Sequence, residues 1–159
     1  MKMPELLPGH CIDTNALIDL WRRVYPPDVF KGLWEKIEGQ VEEGFLIAPK
    51  EVLSELEQQD DELLRWAKLH RKMFKALDAD QQRHVAEILE RFPDLVDPNK
   101  VTPDADPFVI ALAMSQGWKV ITSEAPSRGG RPKIPNVCSS FGIGCLSLLE
   151  FFREKNWEF

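Results

Sequence analysis

An α/β fold, with a parallel sheet covered by helices on both faces, is predicted by three features of the sequence. Short apolar runs alternate with longer stretches of helical spacing. The runs are apolar throughout rather than at every second residue, as in strands buried on both faces. Acidic residues follow several of these runs, at the strand ends where α/β sheets carry their sites. The 159 residues, 43% hydrophobic and 29% charged, are enough to build the core of one compact domain, read as 1–159.

His10-Cys11-Ile12 is the first predicted strand, and Asp13-Thr14-Asn15 opens a helix with Ala16, Leu17, Ile18, Leu20 and Trp21 on its apolar face. Pro26-Pro27-Asp28 stops and restarts the chain. Phe30, Leu33, Trp34, Ile37 and Val41 have helical spacing, and Gly44 closes that helix. Phe45 to Ala48 is the second strand, and Pro49 opens a helix through Val52, Leu53 and Leu56. Asp60-Asp61 begins a further helix with Leu63, Trp66, His70, Met73 and Leu77 on one face. Asp80 begins another with Val85, Ile88, Leu89 and Phe92, and the pair reads as a helical insert at about 60–92. Pro93 to Pro103 is a connection. Asp106-Pro107 has the pattern of an N-cap followed by proline, and the apolar body Phe108 to Met114 predicts a helix buried on most sides and ended by Gly117. Val120 to Thr122 is the third strand, and Ser127 to Pro132 a Gly/Arg loop. Ile134 to Cys138 reads as an edge strand because of Pro135. Leu146, Leu149, Glu150, Phe152 and Arg153 form a last helix, and Trp157 and Phe159 dock on their own domain or on a second copy.

Lys and Arg total 20 against 26 Asp and Glu, a net charge of −6, which argues against a polyanion binder held by bulk charge. It leaves room for a nucleic-acid enzyme, whose metal site is itself acidic. Three cysteines make no disulfide framework, and Cys11, Cys138 and Cys145 read as buried thiols. No apolar run approaches the roughly 20 residues of a membrane span. The opening MKMPELLPGH lacks the unbroken apolar stretch of a signal peptide, so a cytoplasmic protein without membrane contact is expected.

The carboxylates carry the chemistry. Asp13 follows the first strand, Glu51 and Glu55 lie a helical turn apart after the second, Asp104 and Asp106 precede the buried helix, and Glu124 follows the third strand. Acids gathered at one edge repel one another, and a divalent cation removes that cost. Oxygen ligands without His or Cys suit Mg²⁺ or Mn²⁺ better than Zn²⁺. Such an ion can lower the pKa of a water and neutralise charge on a phosphodiester in hydrolysis, with no nucleophilic side chain. The sequence has no G-x-S-x-G elbow, no Walker A loop, and no G-x-G-x-x-G after the first strand. Asp13 and Asp106 also have bland readings as helix caps, and Glu55 and Glu124 as solvated acids.

Taken in order, Cys11 to Asn15, Glu55-Leu56, Asp106 to Ala113 and Val120 to Glu124 resemble the PIN-domain ribonucleases, including VapC-type toxins of bacterial toxin–antitoxin pairs. The tail Lys133 to Cys138, with Phe141 to Cys145, looks like a PIN-like subfamily known only as of unknown function. The resemblance implies a three-layer α/β/α sandwich around a mainly parallel sheet of four or five strands. It implies a Mg²⁺- or Mn²⁺-dependent endoribonuclease with catalytic acids Asp13, Glu55, Asp106 and Glu124. The metal would lie on Asp13, Asp106 and Glu124, with Thr14, Asn15 and Ser123 as hydrogen-bonding partners behind them. An RNA substrate, an antitoxin partner and a homodimer are implied in the same way. The last acid is usually Asp in this family and is Glu124 here.

Arg65, Lys68, Lys72 and Lys75 share one face of the helix predicted through Leu77, with Arg71 beside them. They read either as a phosphate rail or as a solvated face. Arg128, Arg131 and Lys133 follow Glu124 on the Gly loop. The expected nucleic-acid contacts are Lys68, Arg71, Lys72, Arg128 and Arg131. A catalytically inactive PIN-like module that binds RNA or protein is the competing expectation, kept open by Glu124. A phosphatase or receiver-like domain ranks below it, because Lys119 and Lys133 flank the third strand instead of ending one.

Overall fold

The computed structural model describes residues 9–58, 61–100 and 104–159, and of Asp61 the backbone alone. The helix start expected at Asp60 and the end of the connection at Pro103 lie outside the described residues. Five strands form one sheet: β1 (His10–Ile12), β2 (Leu46–Pro49), β3 (Phe74–Lys75), β4 (Lys119–Ile121) and β5 (Cys145–Leu146). Their order is β3-β2-β1-β4-β5 and every neighbouring pair is parallel. The central strand β1 is buried along its whole length, which explains its unbroken apolar character. Its register sets Cys11 beside Ile47 on one side and Val120 on the other.

Helices cover both faces, as the fold class requires. They are α1 (Thr14–Ile18), continued by a π turn over Asp19–Arg23, α2 (Lys31–Glu43), α3 (Lys50–Leu56), α4 (Asp61–Leu69), α5 (Ala79–Arg91), α6 (Asp106–Gln116), α7 (Ile134–Phe141) and α8 (Leu148–Glu154). α6 packs on β1, β2 and β4 with α5 and α7 beside it, while α3 joins α1, α4, β2 and β3. The expected all-round burial of α6 is met from Val109 to Ala113. Gly44 and Gly117 end α2 and α6 in the left-handed conformation that their missing Cβ permits. Among the described residues no helix is long and apolar enough to cross a membrane.

Three local expectations are corrected. Ile134 to Cys138 is not an edge strand but the start of α7: Pro135 falls in the first turn, where an N–H has no intrahelical partner to lose. The helix expected to run through Leu77 stops at Leu69. A 3₁₀ turn over Arg71–Met73 follows, and Phe74-Lys75 then pair with Ala48-Pro49 as β3. Leu146 belongs to β5, and α8 begins after Ser147, whose hydroxyl accepts from the Glu150 amide while the Glu150 carboxylate accepts from the Ser147 amide. Of the two readings of the tail, the structure shows docking on the chain's own core: Trp157 packs on Phe151 and Phe152, and Phe159 meets Phe152.

Gly9 precedes the central strand where the Trp118 ring lies across the backbone. A Cβ there would stand 2.5 Å from the ring. Gly9→Ala is expected to destabilise the protein by about 1–3 kcal/mol, read as a lower urea midpoint.

Candidate active site

The carboxyl ends of the parallel strands bring the acids together. Asp13 leaves β1 and is 2% exposed. One oxygen accepts from the Ala16 amide at 2.7 Å, so the residue does cap α1. The other accepts from the Thr122 hydroxyl, just beyond β4, and the Asp13 amide donates to Ile121 O at 3.0 Å. Asp13 thus caps the helix and stands at the carboxyl edge of the sheet with one side chain.

Of the two glutamates on α3, Glu55 reaches this edge. Its carboxylate accepts from the Thr14 hydroxyl at 2.5 Å, from the Ala105 amide at 3.3 Å and from the Lys100 ammonium at 3.2 Å. One Glu51 oxygen is buried without a hydrogen bond among the described residues. Asp104 accepts the Asp106 amide at 3.1 Å and lies 4.0 Å from Lys100. Asp106 occupies the first turn of α6, with Ala105 at the N-cap and no capping bond from a side chain, so the expected Asp106 cap is absent. Its carboxylate and that of Glu124 make no hydrogen bond or ion pair among the described residues. The Glu124 amide donates to Thr122 Oγ1 at 3.1 Å, which ties this loop to the Asp13 partner.

Burial and mutual repulsion shape the charges. Burial pushes Asp13 up to about 7 against its two hydrogen bonds, with Glu124 and Glu55 adding to the rise. Asp106 is pushed up to about 8 by burial, then by Asp104, Glu124, Asp13 and Glu55. Glu124 is raised chiefly by burial, with Lys133 opposing. Burial works to lower Lys100, but Asp104, Glu55 and Asp106 outweigh it and hold it charged.

Several expected site residues are placed otherwise. Thr14 donates to Glu55, whereas Asn15 and Ser123 are exposed and make no side-chain hydrogen bond among the described residues. Lys72 donates to Glu42 O at 2.9 Å and to its carboxylate at 2.7 Å. Glu42 precedes β2, so Lys72 is anchored toward the amino end of that strand, away from the acids. With α4 ending at Leu69, the single basic helix face does not form. Arg131 donates to Asp94 O at 2.8 Å and Val96 O at 2.9 Å, strapping the Gly loop to the preceding connection. Asn136 braces the loop from within, accepting from the Ser127 and Lys133 amides and donating to Ser127 O. Lys68, Arg71 and Arg128 are exposed. Thr122 and Lys100 were not anticipated. A hydroxyl at a strand end two residues before an acid was the available signal for Thr122, and Lys100 had none.

The donor chemistry fits a hard divalent cation: the acids are all carboxylates, those of Asp106 and Glu124 make no hydrogen bond or ion pair among the described residues, and Asp106 is raised by four neighbouring acids. Among the described residues, however, no three His, Cys, Asp or Glu side chains stand at metal-ligand spacing. Binding an ion therefore requires the side chains to draw in.

The raised values set a direction for stability. Aspartates ordinarily near 3.8 that rise to about 7 and about 8 in the fold contribute stability present at low pH and lost as pH climbs through those values. His10 acts oppositely: burial lowers it to about 4, so its contribution is lost only as pH falls below its ordinary 6.5. Above pH 7 the carboxylates dominate. The melting temperature of metal-free protein is expected to fall from pH 7 to about 9, and less steeply in Asp13→Asn and Asp106→Asn. A wild-type slope no steeper than the variants' would contradict the assignment.

A search of curated proteins finds no match. Among solved structures, the chain is similar to one in the crystal structure of VapBC2 from Rickettsia felis bound to a DNA fragment from their promoter. The TM-score is 0.51 at 12% identity, covering 87% of this chain and 97% of that one. At this identity the likeness establishes a PIN-like fold. The model of the family described as "Domain of unknown function (DUF4411)" matches residues 10–159, and the chain belongs to that family.

Proposed function

We propose that this chain is a metal-dependent endoribonuclease, acting as the toxin of a toxin–antitoxin pair. The observation that carries the reading is the gathering of Asp13, Glu55, Asp106 and Glu124 from four separate segments at the carboxyl edge of one parallel sheet. The PIN-like fold and the likeness to VapBC2 support it. Asp13, Asp106 and Glu124 would hold Mg²⁺ or Mn²⁺. The ion supplies an activated water and charge neutralisation at the phosphodiester. The protein's own residues do the rest: Thr122 and the Ala16 amide fix the Asp13 carboxylate, Thr14 aims Glu55, and Lys133 offsets Glu124. Of the five expected contacts, Lys68, Arg71 and Arg128 remain exposed to meet RNA phosphates. An antitoxin peptide and a second copy are the proposed protein partners.

A second reading, a catalytically inactive PIN-like binding module, is favoured by the wide spacing of the carboxylates and by Glu124 in place of Asp. Cleavage separates the two. Wild-type protein is expected to cut a mixed RNA pool with Mn²⁺ or Mg²⁺ and to stop in EDTA. Asp13→Asn should lose more than about 100-fold, and Thr122→Val about 10- to 100-fold, as for an outer partner of a metal ligand. Cleavage surviving in EDTA or in Asp13→Asn would remove the metallonuclease. In a separate test, Ala at Lys68, Arg71 and Arg128 together is expected to weaken RNA binding and reduce its log–log salt slope by about 2. Lys72→Ala and Arg131→Ala should leave that slope unchanged and lower stability instead. An unaltered slope in the triple variant would discard these contacts.

A further inference from the structure

We infer that the Lys100 ammonium occupies the place of a second cation in the carboxylate cluster, so that the site takes one divalent ion and not two. The inference rests on the metal-dependent reading above and specifies its stoichiometry. Five carboxylates meet at this edge, and they divide into two groups by what they already hold. One Glu55 oxygen accepts from the Thr14 hydroxyl, and the other meets the Ala105 amide and Lys100, the latter at 3.2 Å. Asp104 accepts the Asp106 amide with one oxygen and turns the other to Lys100 at 4.0 Å. Both carboxylate side chains are mostly covered, at 13% and 14% exposure, and the ammonium reaches them from the solvent side. Asp106 and Glu124 form the other group: their carboxylates make no hydrogen bond or ion pair among the described residues, and Lys133 acts on Glu124 only through its charge. Asp13 stands with them, since each of its oxygens accepts one hydrogen bond and keeps a further lone pair.

The two groups differ in what they can accept. A lysine is a compact point charge with three donors, able to serve two carboxylates at once. A divalent ion on Glu55 and Asp104 would have to displace it. An ion on Asp106, Glu124 and Asp13 displaces nothing and relieves their repulsion. Lys100 lies in neither a helix nor a strand, and its side chain is 41% exposed. It can therefore be removed by substitution without disturbing the core. In this arrangement Lys100 is a positioning residue, holding Glu55 and Asp104 in place as a second ion would.

The test is the number of Mn²⁺ ions bound per chain, measured by titration calorimetry on the full-length, metal-stripped protein and checked by Mn²⁺ electron paramagnetic resonance. Wild type is expected to bind one, and Lys100→Arg one. Lys100→Met should bind a second. Its RNA cleavage should change from a hyperbolic to a sigmoidal dependence on Mn²⁺, with activity about 100-fold below wild type when only one ion is bound. Lys100→Gln, with circular dichroism on each variant, guards against a folding defect at one substitution. Two ions in the wild type, or one ion and wild-type Mn²⁺ dependence in both Lys100→Met and Lys100→Gln, would overturn the inference and leave the nuclease standing. A wild type that binds no Mn²⁺ would overturn the metal-dependent reading itself.

Discussion

Burying a carboxylate is costly unless donors meet it, and Asp13 is buried at the end of the central strand. Two donors are supplied from different directions. The Ala16 amide comes from the helix that follows β1, and the Thr122 hydroxyl from the neighbouring strand β4. The first is a local helix cap; the second depends on the parallel register that sets Ile12 beside Ile121 and so carries Asp13 and Thr122 to the same height. Even so, burial outweighs the hydrogen bonds and raises the carboxyl group. The rest of the edge inherits this constraint: Asp106 is pushed up by its burial and then by Asp104, Glu124, Asp13 and Glu55.

The loops around the edge respond to that charge. The connection before α6 brings Lys100 to Glu55 and Asp104, and the loop after β4 brings Lys133 toward Glu124. These two loops are joined by Arg131, whose bonds to Asp94 and Val96 carbonyls hold the Gly loop against the connection. Basic residues near the acids thus have two kinds of work. Some neutralise or brace the protein's own groups, and only those left exposed, Arg128 among them, are free to meet an anionic substrate. For a chain of net charge −6, this division matters more than the total number of cations.

Much of the fold was legible because it rests on local rules. Unbroken apolar runs marked β1, β2 and β4, and Gly44 and Gly117 marked the ends of two helices. The two edge strands were not legible. β3 and β5 have two residues each, too few for a period, and exist because β2 and β4 offer free edges. Met73 and Leu77 carry helical spacing across Phe74-Lys75, yet pairing of that dipeptide with Ala48-Pro49 prevailed over the weak local preference. The stretch Ile134–Cys138 failed for the converse reason: Pro135 is compatible with an edge strand and with the first turn of a helix, and packing of Val137 and Cys138 into the core selected the helix.

The sequence by itself determined that acids would follow apolar strands in a parallel sheet, because strand direction and side-chain type are both local properties. That was enough to single out Asp13 and Glu124 after strands, Asp106 at the start of the buried helix, and the pair Glu51 and Glu55 after the second strand. Only the tertiary structure decided between Glu51 and Glu55, since both lie on one turn of α3 and contact with Thr14 separates them. It alone brought in Thr122 and Lys100, which reach Asp13 and Glu55 across 109 and 45 residues of chain. It also turned Lys72 and Arg131 from prospective ligands of phosphate into struts. A charge pattern states what a side chain can bind, and only the neighbours supplied by folding state what it already holds.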